Sequence, residues 1–163
     1  MKLKNIIPLI TLVAAASGYA APQSFDFKDP KGVNNAVFKL DAPLESINGS
    51  ASGITGTVSF DPENPAATTG KIVVTTASLT VPNPMQNGHM HSDKWLDAAK
   101  YPEITFEAKS LDNVKTDGNV TTADVTGTFT LHGVSKQITA PIKLTYLKDK
   151  LGDRVQNLKG DLL

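Results

Sequence analysis

Apolar and polar residues alternate with a period of two along most of the chain from Phe25 onward. Successive side chains of a β-strand point to opposite faces of the sheet, so this alternation predicts strands with one apolar and one polar face. The clearest run spans residues 138–146, where one face carries Ile138, Ala140, Ile142, Leu144 and Tyr146. Helical periodicity is nearly absent, and the pattern therefore predicts an all-β, antiparallel fold.

An antiparallel sheet with one apolar face buries that face by closing into a barrel or by stacking as a sandwich. We predict about eight strands, separated by turns such as Asp117-Gly118 and His132-Gly133. Alternation alone does not choose between the two architectures. One short helix is predicted near residues 92–100, with Ser92 as its N-cap and Tyr101 at its end.

The first 20 residues have the organisation of a secretory signal peptide. Lys2 and Lys4 precede an apolar stretch that ends in small residues. That stretch is shorter than the ~20 residues of a membrane-spanning helix. We therefore predict cleavage after Ala20, export of the protein, no stable insertion into the membrane, and one domain over residues 21–163.

The composition excludes several classes of function. The chain has no cysteine, which rules out thiol catalysis, thiolate metal sites and redox exchange. Without residues 1–20 the formal charge is slightly negative and Arg154 is the single arginine, so a nucleic-acid partner is not predicted. No nucleotide-binding glycine motif or nucleophile elbow is present, and we predict no enzyme activity and no cofactor.

The three histidines lie at predicted loops and turns: His89, His91 and His132. They could bind a metal such as zinc, or one of them could act as a general base in a hydrolase. They could equally be polar residues at exposed turns. Because no fourth ligand is evident, we predict no metal site and place these histidines at the polar mouth of a binding site.

The apolar positions that alternate inward either fill the barrel or line a ligand cavity. A packed interior would make the protein a structural or interaction module of the envelope. A hollow one would hold an apolar ligand. The predicted ligand-binding residues are Phe38, Leu40, Val58, Phe60, Ile72, Val74, Trp95, Ile104, Phe106, Val125, Phe129, Leu131, Ile142 and Leu144.

Two segments carry a resemblance to a known family. Residues 86–97 combine a polar loop containing His89 with an aromatic residue and an aspartate, and Tyr-Pro-Glu-Ile-Thr-Phe follows at residues 101–106. Residues 127–136 read Gly-Thr-Phe-Thr-Leu-His-Gly-Val-Ser-Lys. These segments resemble the YceI-like family.

The resemblance implies a lipocalin-like antiparallel barrel, usually periplasmic, that carries a polyisoprenoid lipid or an isoprenoid quinone in an apolar lumen. Three positions differ from the family pattern, with Gln86 and Asn87 in place of an Arg-Asp pair and His91 in place of an arginine. The family's last strand is not evident before Leu163. This predicts either an incomplete sequence or an open sheet edge that pairs two copies into a homodimer.

Overall fold

The structure, a computed structural model, describes residues 22–29, 31–41 and 43–147. The predicted signal peptide and the predicted missing last strand lie outside these residues. Within them are nine strands and one α-helix, and the prediction of an all-β antiparallel fold is confirmed. The strands are β1 (Gln23–Asp26), β2 (Ala36–Asp41), β3 (Ser46–Ala51), β4 (Ile54–Phe60), β5 (Thr69–Thr75), β6 (Leu79–Thr80), β7 (Glu103–Asp117), β8 (Val120–Leu131) and β9 (Val134–Thr145). The helices are α1 (Pro84–His91) and two 3₁₀ turns, Pro65–Ala67 and Thr76–Ser78.

The strands form two antiparallel sheets. The larger sheet has the order β1-β4-β5-β7-β8-β9 and the smaller one has the order β2-β3-β6. The chain passes from the smaller to the larger sheet between Ala51 and Ile54. It returns to the smaller sheet for β6 and then to the larger sheet for β7, so the two sheets alternate along the chain.

The larger sheet curls until its first and last strands approach each other. The ring of Tyr146, just after β9, lies 6.2 Å from the ring of Phe25 on β1 and 5.6 Å from that of Phe60 on β4. Its hydroxyl donates a hydrogen bond of 3.0 Å to Gln23 on β1. These contacts link the two ends of the larger sheet, although β1 and β9 are not hydrogen-bonded to each other in the described residues.

One end of the curled sheet is packed solid. Leu111, Ala123 and Val125 are buried there, and Phe106 and Ile142 pack against them. Directly opposed residues share a face, and Leu111 faces Val125 across β7 and β8. The period-two pattern thus produces a conventional packed core in this half of the sheet.

The predicted turns lie close to their expected positions. Gly118 and Asn119 connect β7 to β8, one residue later than the predicted Asp117-Gly118 pair. His132 and Gly133 connect β8 to β9, and both have positive φ angles, 50° and 71°. Two successive positive φ angles match the twist of a tight hairpin, although a residue with a Cβ adopts this conformation less readily than glycine.

The prediction of one short helix is confirmed, but its placement near residues 92–100 is wrong. The α-helix precedes that segment and ends at His91, where Ser92 is its C-cap and not an N-cap. Residues 92–100 form successive turns, and Asp97 has a φ of 45°, which interrupts any helix through it. No helix in the described ranges is long and apolar enough to cross a membrane.

Candidate functional site

An apolar cavity of about 570 Å³ lies between the smaller sheet, α1 with its following turns, and one end of the larger sheet. This volume is within the range of small-molecule binding sites. The lining residues are Ala36, Val37, Phe38, Leu40, Glu45, Ile47, Ala51, Val74, Leu79, Val81, Gln86, His89, Met90, Trp95, Leu96, Ile104, Phe129 and Leu131.

The smaller sheet forms one wall through three cross-strand pairs that share a face. Ala36 faces Ala51, Phe38 faces Gly49, and Leu40 faces Ile47. At position 49 the absence of a side chain makes room for the Phe38 ring, which a Cβ there would overlap. At this pair the wall is therefore built from a large residue beside a small one, and the Phe38 ring covers Gly49.

The turn before β2 is held by the side chain of Asp29. Its carboxylate accepts hydrogen bonds from the backbone amides of Asn34 and, at 3.0 Å, Lys31. The bond from Asn34 is the main reason why the pKa of Asp29 lies below its ordinary value of 3.8. This turn sets the position at which β2 enters the cavity wall.

Helix α1 presents one face to the cavity. Its lining residues Gln86, His89 and Met90 are spaced i, i+3, i+4, which places them on the same side of a helix. The side chain of Asn83 caps the helix by accepting from the amides of Met85 (2.9 Å) and Gln86 (3.3 Å). The helix therefore begins at a defined residue, which fixes where Gln86 lies.

The turns after α1 form the rest of this wall. The amide of Leu96 donates to the carbonyl of Met90 at 3.1 Å, which folds residues 92–96 back against the helix. Trp95 lines the cavity and is 59% exposed. An exposed indole beside an apolar cavity places Trp95 at the rim.

The polar part of the lining is small and consists of Glu45, Gln86 and His89. The Gln86 side-chain amide donates a hydrogen bond of 3.1 Å from Nε2 to Oε2 of Glu45. Glu45 is exposed and Gln86 is half-buried, and the hydrogen bond between them lies at the solvent-facing side. The cavity thus combines an apolar interior with a hydrogen-bonding pair at its edge.

The structure brings half of the fourteen predicted ligand-binding residues to this cavity. The seven that line it are Phe38, Leu40, Val74, Trp95, Ile104, Phe129 and Leu131. The other seven, which lie elsewhere on the larger sheet, are Val58, Phe60, Ile72, Phe106, Val125, Ile142 and Leu144. Among these, Val125 is in the packed core and Phe60 lies against Tyr146.

The three histidines occupy different environments. His89 lines the cavity, whereas His132 packs its ring 4.5 Å from that of Tyr101. His91 is half-buried, and its Nε2 is buried without a hydrogen-bond partner among the described residues. Across all the residues that the structure describes, no three His, Asp or Glu side chains come together as a metal site.

Several lining residues were missed by the sequence analysis. Ile47 and Ala51 lie on β3, whose serines and glycine hide the alternation, and Val81 precedes a proline. Gln86 and Met90 were missed because the helix was placed too late. An Asn-Pro pair at residues 83–84 was the signal that could have located it, since asparagine caps helices and proline favours their first turn.

Comparison with known proteins places the chain in a bacterial family. The chain is 38% identical over 98 residues to Protein YceI of Escherichia coli O157:H7, covering 60% of this chain and 49% of that protein. It is 42% identical over 100 residues to a UPF0312 protein of Pseudomonas savastanoi pv. phaseolicola, covering 61% and 49%. The chain therefore spans about half the length of the curated relatives it matches.

Solved structures show the same fold. The crystal structure of BcnA from Burkholderia cenocepacia has a TM-score of 0.51 and 25% identity, covering 66% of this chain and 63% of that one. A YCEI protein from Campylobacter jejuni has a TM-score of 0.51 and 26% identity, covering 71% and 66%. The YceI-like domain profile matches residues 29–160. The resemblance seen in the sequence is thus confirmed, and the chain belongs to the YceI-like family.

Proposed function

We propose that this protein is a non-enzymatic binding protein of the periplasm that holds the tail of a long apolar lipid, such as a polyisoprenoid or an isoprenoid quinone, in its cavity. The observation that carries the proposal is the 570 Å³ cavity with an almost wholly apolar lining. Export rests on the signal-like residues 1–20, which lie outside the described part of the chain.

The energetics of tail burial support this proposal. Each methylene-sized group removed from water contributes about 0.8 kcal/mol, so a fully buried five-carbon isoprene unit contributes about 4 kcal/mol before ordering costs are subtracted. Lining residues such as Phe38, Ile47, Leu131 and Met90 offer the apolar contacts that such a tail needs. Burial in the cavity therefore lowers the free energy of such a lipid tail relative to water.

Trp95 provides a direct readout of binding. It is the single tryptophan of the chain, it lines the cavity, and it is 59% exposed. A tail entering the cavity would shield the indole, so we expect a blue shift of its fluorescence on titration with farnesol. Native mass spectrometry of protein purified without detergent should show a one-to-one lipid adduct.

A cavity-filling variant tests the site itself. Val74 lines the cavity, and Val74→Phe should weaken farnesol binding about tenfold because the added ring occupies tail space. The matched control is Val134→Phe, since Val134 is 58% exposed and does not line the cavity. The control should bind as the parent protein does.

Equal farnesol affinity of the folded Val74→Phe protein and the parent would contradict the proposal. An unliganded native mass together with an unresponsive Trp95 would also contradict it, and would favour an envelope interaction module instead.

A further inference from the structure

We infer that the Glu45–Gln86 pair makes the cavity selective for lipids with an uncharged, hydroxyl-bearing head group over lipids that end in a phosphate. This inference rests on the proposed function, because it assigns a head group to the lipid whose tail fills the cavity. It concerns the two polar side chains that hydrogen-bond to each other in the lining.

The hydrogen-bonding capacity of the pair matches a hydroxyl group. Glu45 offers carboxylate oxygens that only accept, and the amide of Gln86 both donates and accepts. One donor of Gln86 is already used toward Oε2 of Glu45. A hydroxyl can donate to the carboxylate and accept from the remaining amide hydrogen, so both of its functions are satisfied.

The charges of the lining disfavour an anion. No lysine or arginine lines the cavity in the part of the chain that the structure describes. Lys39, the lysine on β2, is paired with Asp41 at 3.1 Å. A phosphate held at the position of the hydroxyl would meet the Glu45 carboxylate without a lysine or arginine partner, and like charges in contact repel.

The geometry keeps the pair at this position. Gln86 is placed by the capped first turn of α1, and its backbone amide donates to Asn83. Glu45 lies immediately before β3, which carries the lining residue Ile47. A head group at this pair would therefore lie at the edge of the cavity, with its tail directed along the apolar wall.

The test compares farnesol with farnesyl monophosphate, which share one tail, by titration of Trp95 fluorescence at low ionic strength. We expect the parent protein to bind farnesol about tenfold more tightly than the phosphate. Glu45→Gln removes the charge and keeps an oxygen that accepts from Gln86, so this preference should fall to about twofold or less.

The matched control is Glu107→Gln, because Glu107 is exposed on β7 outside the cavity lining. The control should keep the parent preference. Raising the salt concentration should reduce the preference of the parent protein, since salt screens exposed charges.

The outcomes separate this inference from the proposed function. Equal binding of both lipids by the parent protein, or a preference that Glu45→Gln leaves unchanged, would overturn the head-group selectivity while leaving tail binding in place. Binding of neither lipid would overturn the proposed function and this inference with it.

Discussion

At the scale of single residues, the cavity depends on the fit between Phe38 and Gly49. The two face each other across β2 and β3, and the ring of Phe38 occupies the space where a side chain at position 49 would lie. Alternation in the sequence predicts the inward direction of Phe38. It does not predict which residue opposes it, because strand register is set by turns and packing over longer distances.

Gly49→Ala tests this fit. A Cβ at position 49 would overlap the Phe38 ring and lie 2.6 Å from the backbone oxygen of Thr80. We expect a loss of about 1–3 kcal/mol in the free energy of unfolding, measured by urea denaturation, because backbone atoms do not move aside easily.

Gly88→Ala is the matched control for the same chemical change. Gly88 lies within α1 and a Cβ there meets nothing within 4 Å. Alanine in a helix is favoured over glycine by about 0.5–1 kcal/mol, so this variant should be slightly more stable than the parent. A Gly49→Ala protein as stable as Gly88→Ala would show that Phe38 is not confined as described.

At the scale of elements, the strands were more predictable than the helix. The alternation of β8 and of the second half of β9 accompanies burial of one face, and the turns between β7, β8 and β9 contain glycine at positive φ. Helix α1 has eight residues, contains Gly88, and has no buried residue. Its apolar periodicity is therefore weak. Because Trp95 and Leu96 are apolar, the sequence analysis placed the helix too late in the chain, in a segment where the backbone turns at Asp97.

Asn83 decides where α1 begins, and Asn83→Ala should destabilise the protein by about 0.5–2 kcal/mol. The amides of Met85 and Gln86 would lose their acceptor. We expect faster hydrogen exchange at these two amides, measured by NMR.

Asn83→Asp keeps a capping oxygen and should retain the slow exchange of both amides. If Asn83→Ala exchanged at the parent rate, the helix start would be held by other contacts, such as the bond from the Val81 amide to the Asn87 side chain.

At the scale of the whole molecule, the same alternating pattern produces two different interiors. The region around Leu111 and Val125 is packed, whereas the region between the smaller sheet and α1 is hollow. Period-two alternation identifies the inward face in both regions. It does not report the separation between the layers, which depends on how the smaller sheet and α1 lie over the larger sheet. The sequence therefore predicted part of the inward set in both regions without separating core from cavity lining.

The approach of the two ends of the larger sheet gives the last prediction, because the Tyr146 side chain, just after β9, contacts both β1 and β4. Tyr146→Phe keeps the rings together and removes only the hydrogen bond to Gln23, so it should cost about 0.5 kcal/mol because this hydrogen bond is exposed to solvent. Tyr146→Ala also removes the ring contacts with Phe25 and Phe60, and should cost about 1–3 kcal/mol more.

Since β1 is otherwise paired only with β4 among the described strands, its amides should exchange faster in Tyr146→Ala and stay near parent rates in Tyr146→Phe. Unchanged exchange in β1 of the alanine variant would mean that the two ends of the sheet are held together without Tyr146.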